Sequence, residues 1–174
     1  MKITAIVVGR AKAPLRDAIA DYETRVGRYW KFDVVEVASG GAGRAKSHPD
    51  RVIDAEQDLL LARLPERATI VALTRTGRGM SSAKLADYLN DHALHSSPEV
   101  CFVIGGAFGL GARILDRAQK RWSLSEATLP HELARLLLAE QLYRAGTIIR
   151  NEPYHKGPSM ESSKKGPSGG NRRA

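Results

Sequence analysis

The sequence predicts an α/β fold with a mainly parallel sheet flanked by helices. Three observations point there. Short apolar runs alternate with amphipathic stretches along the whole chain, as βα units require. The runs at residues 3–8 and 100–104 are almost wholly apolar and rich in β-branched residues, the pattern of buried strands. The run at 100–104 then drives straight into Gly105 and Gly106, a strand-end turn of the kind that borders ligands in such sheets.

In chain order, residues 3–8 read as a buried strand. Leu15, Ala18, Ile19, Tyr22 and Val26 recur at helical spacing and predict an amphipathic helix. Residues 32–37 form a second strand. The glycine-rich stretch 39–47, with two basic residues, reads as a flexible loop before a helix over about 50–64. Residues 69–73 make a third strand, and 81–95 a helix with Leu85, Tyr88, Leu89 and His92 on one face. The fourth strand is 100–104, followed by a helix over about 111–120. A last helix spans about 130–148, with Thr128 as its expected cap and Pro130 in its first turn. Its apolar residues, including Leu133, Leu136, Leu137, Leu138 and Leu142, cover more than half its circumference. A helix that apolar needs burial on two sides: the sheet supplies one, and a second copy of the chain or the rest of a monomeric core supplies the other.

Composition narrows the function. At 174 residues and 43% hydrophobic content the chain can bury one domain's core. A net charge of +8 favours a polyanionic partner such as RNA over an inert basic surface. Residues 157–174 carry four basic residues against one acidic, so +5 of the +8 remains with the body. That last stretch is polar and of low complexity, with too little apolar content for a core. Cys101 is the single cysteine, in mid-strand, and reads as a small buried hydrophobe; no Cys/His cluster has metal-ligand spacing, so no metal is expected. The apolar opening is too short for a signal sequence or membrane span, which predicts a cytoplasmic protein with no membrane partner.

The strand ends at Leu73, at Gly105 and at 124–129 converge as candidate walls of a ligand pocket. Leu73, Leu124 and Leu129 offer apolar surface, and the backbone of Gly105, Gly106, Ser125, Glu126, Ala127 and Thr128 offers hydrogen bonds. The glycine turn is neither a P-loop, since no Gly-Lys-Ser/Thr follows, nor a G-x-G-x-x-G fingerprint.

Four blocks stand in register: Ile104-Gly-Gly-Ala-Phe-Gly-Leu110, Leu129-Pro-His131, Leu142-Tyr-Arg-Ala145 and Tyr154-His155. Through them, residues 1–156 closely resemble the SPOUT class of S-adenosylmethionine-dependent RNA methyltransferases, and within it the small bacterial enzymes acting on large-subunit ribosomal RNA. The resemblance implies a homodimer and a C-terminal trefoil knot holding S-adenosylmethionine. It also implies methylation of N3 of a pseudouridine in the helix 69 loop of 23S rRNA, on the assembled ribosome. The donor-binding residues it implies are Leu73, Gly105, Leu124, Ser125, Glu126, Ala127, Thr128 and Leu129. Glu126 occupies a position of variable residue type, so its side chain is expected to point away from the donor.

His155, Tyr154 and Arg144 are the candidate catalytic residues. His155 is a general base or an RNA contact, since imidazole titrates near neutral pH. Tyr154 stacks on a base or packs in the core. Arg144, four residues after Glu140, is half of a helical ion pair or a contact to phosphate or a uracil carbonyl. His131 sits at a helix start, where it caps or packs. Two rival readings remain: a SPOUT enzyme acting on tRNA, and a non-catalytic ribosome-binding protein, which accounts for the charge but not for the donor-site blocks.

Overall fold

A computed structural model of the chain describes residues 1–40, 48–95 and 99–155. Most of the 39–47 loop and the tail from 156 lie outside the described residues. The elements, in order, are β1 (Lys2–Val8), α1 (Leu15–Val26), β2 (Lys31–Val37), α2 (Pro49–Leu61), β3 (Thr69–Gly79), α3 (Ser82–His95), β4 (Glu99–Ile104), α4 (Ala112–Arg117), β5 (Lys120–Ser123), α5 (His131–Ile149) and a 3-10 turn at Pro153–His155. The five strands form one parallel sheet in the order β2-β1-β4-β3-β5.

Strand alternation divides the core in two. Ile3, Ala5 and Val7 of β1, with Val100, Phe102 and Ile104 of β4, face a layer containing Val26 of α1, Leu85 and Leu89 of α3, and Leu138 and Leu142 of α5. Ile6, Val8, Cys101 and Val103 face the other way, against Leu60 of α2 and Ile114 of α4. Helices therefore cover both faces, which is why β1 and β4 read as largely apolar runs. The crossovers through α1 and α3 move one way along the sheet on one face. Those through α2 and α4 move the opposite way on the other face, so all four share one hand, as parallel βαβ units demand.

Three sequence expectations change. The helix after β4 stops at Arg117 rather than near 120, because Ala118 turns extended and Gln119 docks on β3. The Gln119 amide donates to the Ile70 carbonyl (3.0 Å), and its side-chain oxygen accepts from the Ile70 amide (2.7 Å). Residues 120–123 then form the edge strand β5, whose end is the one expected at 124–129. β3 runs to Gly79, beyond its expected end at Leu73. Finally, α5 starts at His131 with Pro130 as N-cap and no side-chain cap bond, so exposed Thr128 is not the cap.

α5 packs between α1 and α3 over β1 and β4. Its buried positions include Leu138, Ala139, Leu142 and Ala145, and also Arg135. The Arg135 guanidinium donates to both carboxylate oxygens of Glu23 on α1 (2.7 and 3.2 Å) and to Glu36 on β2 (2.6 Å). Leu133, on the far side, stays 38% exposed, with Leu137 half-buried one turn on. No helix among the described residues is long and apolar enough to cross a membrane.

Candidate functional site

Chain leaves β3 toward one face of the sheet and β4 toward the other, which opens a crevice at their carboxyl ends. Here Ile104 passes into the glycine turn. A Cβ on Gly105 would lie 2.5 Å from the Gly109 carbonyl oxygen, so only glycine lets the turn fold back on itself. The Gly109 amide then closes it by donating to the Gly106 carbonyl at 3.1 Å. Beneath the turn lies Glu56, 1% exposed, which accepts hydrogen bonds from Gly40 N (3.1 Å) and Ser39 Oγ (3.2 Å).

The crevice encloses a cavity of about 540 Å³, within the range of small-molecule sites. Its walls are residues 73–76, 104–110, 123–125 and 127–129, with Leu115, His131 and Ala134. Eight residues proposed from the sequence thus line one cavity: Leu73, Gly105, Gly106, Leu124, Ser125, Ala127, Thr128 and Leu129. Glu126 is exposed and its side chain does not border the cavity. Ser123 and Ser125 shape the last segment: Ser123 Oγ donates to the Ser125 carbonyl (2.7 Å), and Ser125 Oγ accepts from Ala127 N (3.0 Å). His131 stands over β1, with its Nε2 3.1 Å from where a Gly9 Cβ would be, so it lines the pocket rather than capping a helix.

Sequence reasoning missed Arg75 altogether. It lies on an irregular stretch of β3, exposed, and is the one formally charged side chain among the described lining residues. No hydrophobic period marks such a position. Among the described residues, no group of three or more His, Cys, Asp or Glu gathers as a metal site would need.

A second cluster sits at the other end of α5. Arg144 donates twice to Glu140 Oε1 (2.9 and 2.7 Å), the helical ion pair of the two alternatives above. Tyr154 donates to the same oxygen at 3.3 Å, its ring 4.6 Å from that of Tyr143 and beneath the Arg144 guanidinium at 4.9 Å. Tyr22 stands 3.4 Å from the Tyr154 hydroxyl. Desolvation, the Tyr22 hydroxyl and the negative charge of Glu140 push the Tyr154 phenol well above its ordinary range. His155 ends the 3-10 turn; its side chain lies outside the described part.

The two sites are far apart in one chain. Thirteen residues of α5 separate His131 from Arg144, about 20 Å at 1.5 Å per residue.

Comparison with known proteins now fixes the class. A family model described as "Predicted SPOUT methyltransferase" matches residues 1–155. The fold is also similar to two solved structures. A "probable methylase family protein" from Haemophilus influenzae matches at TM-score 0.53 and 11% identity, over 89% of this chain and 70% of that one. A "probable rRNA-methyltransferase" from Porphyromonas gingivalis matches at 0.51 and 16%, over 84% and 68%. The fold is that of the SPOUT methyltransferases. More specific are relatives named "Ribosomal RNA large subunit methyltransferase H". That of Gemmatimonas aurantiaca is 50% identical, over 90% of this chain and all of the relative; that of Bacillus pumilus is 40% identical with the same coverage. The chain belongs to the ribosomal RNA large subunit methyltransferase H family.

Proposed function

We propose that this protein methylates large-subunit ribosomal RNA, taking the methyl group from S-adenosylmethionine. In its finer form the reading places the methyl on N3 of a pseudouridine in the helix 69 loop of 23S rRNA, on the assembled ribosome in the cytoplasm. The observation that carries it is the cavity at the ends of β3, β4 and β5, in a chain 90% of which aligns with the full length of a relative of that name. Its size suits a nucleoside-sized ligand, and a Cβ at Gly105 would force apart the turn that lines it. The catalytic unit is residues 1–156, and 157–174 form a basic tail outside it. The trefoil knot expected of the class belongs to the same reading.

Bound S-adenosylmethionine supplies an electrophilic methyl on a sulfonium sulfur. Leu73, Leu124 and Leu129 provide apolar walls for the adenosyl portion, and the backbone of 125–128 hydrogen-bonds its polar edges. Holding methyl and nitrogen in line contributes most of the acceleration, and removing the N3 proton contributes roughly 100- to 10,000-fold. Tyr154, kept protonated, serves as a hydrogen-bond donor or stacking surface for RNA and not as the base. Arg144, aligned by Glu140, presents cationic N–H groups to phosphate or a uracil carbonyl. His155, whose imidazole is the general-base type of side chain among the three, takes the proton.

Because about 15 Å of helix separates Arg144 from Ala134, the cavity residue nearest it on α5, one chain does not hold both halves of such a site together. A homodimer brings the Arg144–Tyr154 end of one protomer to the cavity of its partner. Transfer of labelled methyl to 70S ribosomes, isolated subunits and bulk tRNA tests the reading. Label on 70S particles supports it; label on tRNA alone, or none, sinks it.

A further inference from the structure

β3 leaves its ladder with β5 for four residues. Leu73 and Arg78 both pair with Trp122, so residues 74–77 are pushed out of the sheet between them. Irregularities of this kind re-aim side chains beside functional sites. This one places Thr74, Arg75 and Thr76 on the cavity wall, with the Thr74 and Thr76 hydroxyls 3.4 Å apart. Arg78, where pairing resumes, is exposed and absent from the wall.

Charge then decides what Arg75 meets. No carboxylate borders the cavity among its described lining residues, and Arg75 makes no ion pair among the described residues. A guanidinium on such a wall, with no carboxylate beside it among the described residues, suits an anionic ligand group with planar, two-oxygen geometry. S-adenosylmethionine, on the reading proposed above, carries one such group, the carboxylate of its amino-acid portion. Its sulfonium and ammonium are cations and are repelled from the same spot.

We infer that Arg75 is a specificity-determining residue that binds the donor's carboxylate, drawing the amino-acid portion toward the β3 excursion. The adenosyl portion is left to the apolar walls at Leu124 and Leu129. Arg75 thereby makes the pocket select the complete donor over nucleosides that lack the amino-acid tail.

The test measures calorimetric binding of S-adenosylhomocysteine and 5′-methylthioadenosine to the full chain. Both have a neutral sulfur, and only the first has the carboxylate. Arg75→Gln is expected to weaken S-adenosylhomocysteine about tenfold, the scale of one charge-assisted contact, and to leave 5′-methylthioadenosine unchanged. Arg78→Gln should change neither. Equal weakening of both compounds by Arg75→Gln, or of neither, overturns the inference while leaving the donor site standing. Loss of ribosome binding with no loss of S-adenosylhomocysteine reassigns Arg75 to RNA and also overturns it. If the unaltered protein binds neither compound, the donor-site reading itself falls.

Discussion

Gly77 and Trp122 meet backbone to backbone: a Cβ on Gly77 would stand 2.6 Å from the Trp122 carbonyl carbon and 2.7 Å from its nitrogen. That approach lets β3 swing out after Leu73 and rejoin β5 at Arg78, so the position of one pocket wall depends on an absent side chain.

Gly77→Ala should therefore push the excursion off β5. The backbone of a sheet yields little, so the expected loss is about 1–3 kcal/mol of stability, with weaker S-adenosylhomocysteine binding. Gly79→Ala is the matched control, since a Cβ there meets nothing within 4 Å. Chemical denaturation and calorimetry on both variants check this; equal effects of the two would count against the contact.

Arg135 is the other structural device near the pocket. It sits one turn beyond His131 and ties α5 to α1 and β2 through Glu23 and Glu36. Arg135→Met should cost about 3 kcal/mol, because two carboxylates lose their shared partner. Adding Glu23→Gln and Glu36→Gln should recover part of that loss. A denaturant midpoint unmoved by Arg135→Met would show that the network contributes nothing net.

Much of this architecture is legible in the sequence because burial on both faces writes itself as apolar runs. β1 and β4 carry such runs, and the glycine turn follows β4 directly. β5 is different: of Lys120, Arg121, Trp122 and Ser123, only Trp122 is buried, so no run and no alternation announces a strand. The polar second half of β3 is silent for the same reason, and Arg75 with it. Arg135 hides among leucines, since helical spacing does not tell a buried arginine with two partners from a solvated one. Nor does a linear motif show that Arg144 and Leu129, assigned to the two halves of one site, stand toward opposite ends of α5.

Cys101 supports a pH prediction. Burial first, and the charge of Glu99 second, push its thiol from 9.0 up to about 12. The folded state thus favours the protonated thiol. The stability this confers is complete below pH 9 and is lost as pH rises from 9 toward 12. Tyr88, and Tyr29 with its bond to Glu152, go from 10.0 to about 12, and Tyr154 is raised too, so their losses set in around pH 10. Between pH 9 and 10 the Cys101 contribution falls by about 1 kcal/mol, so Cys101→Ala should lose about that much less than the unaltered protein over the interval. Denaturant titrations at the two pH values decide it; identical slopes would remove Cys101 from the account.

The proposed dimer makes its own demand on α5. Leu133 is 38% exposed in the single chain, and a lysine there leaves the monomer's core untouched. If that face is covered by a second copy, Leu133→Lys buries an unpaired charge on association. Light scattering should show a dimer for the unaltered protein at micromolar concentration and a folded monomer for the variant. A stable monomer before substitution would sink the proposal.

The division of the site between protomers has a sharper consequence. Ala127→Trp should fill the cavity from an exposed position and abolish donor binding. Arg144→Ala should instead keep donor binding and lose methylation, as should Tyr154→Phe to a lesser degree. Each is inactive or weakened alone for a different reason. Mixed after unfolding and refolding together, Ala127→Trp and Arg144→Ala chains should form half-mixed dimers. In these, one cavity is intact and faces an intact Arg144, and activity should return to about a quarter of the unaltered level by statistical assortment of a two-fold dimer. The pH profile then separates the two residues of the turn. Tyr154→Phe should keep the rise of rate near neutrality, because its phenol is held protonated there, whereas His155→Ala should lose it if His155 takes the N3 proton. Failure of the mixture to regain activity would place cavity and catalytic residues in the same protomer, against the roughly 15 Å of helix between Ala134 and Arg144.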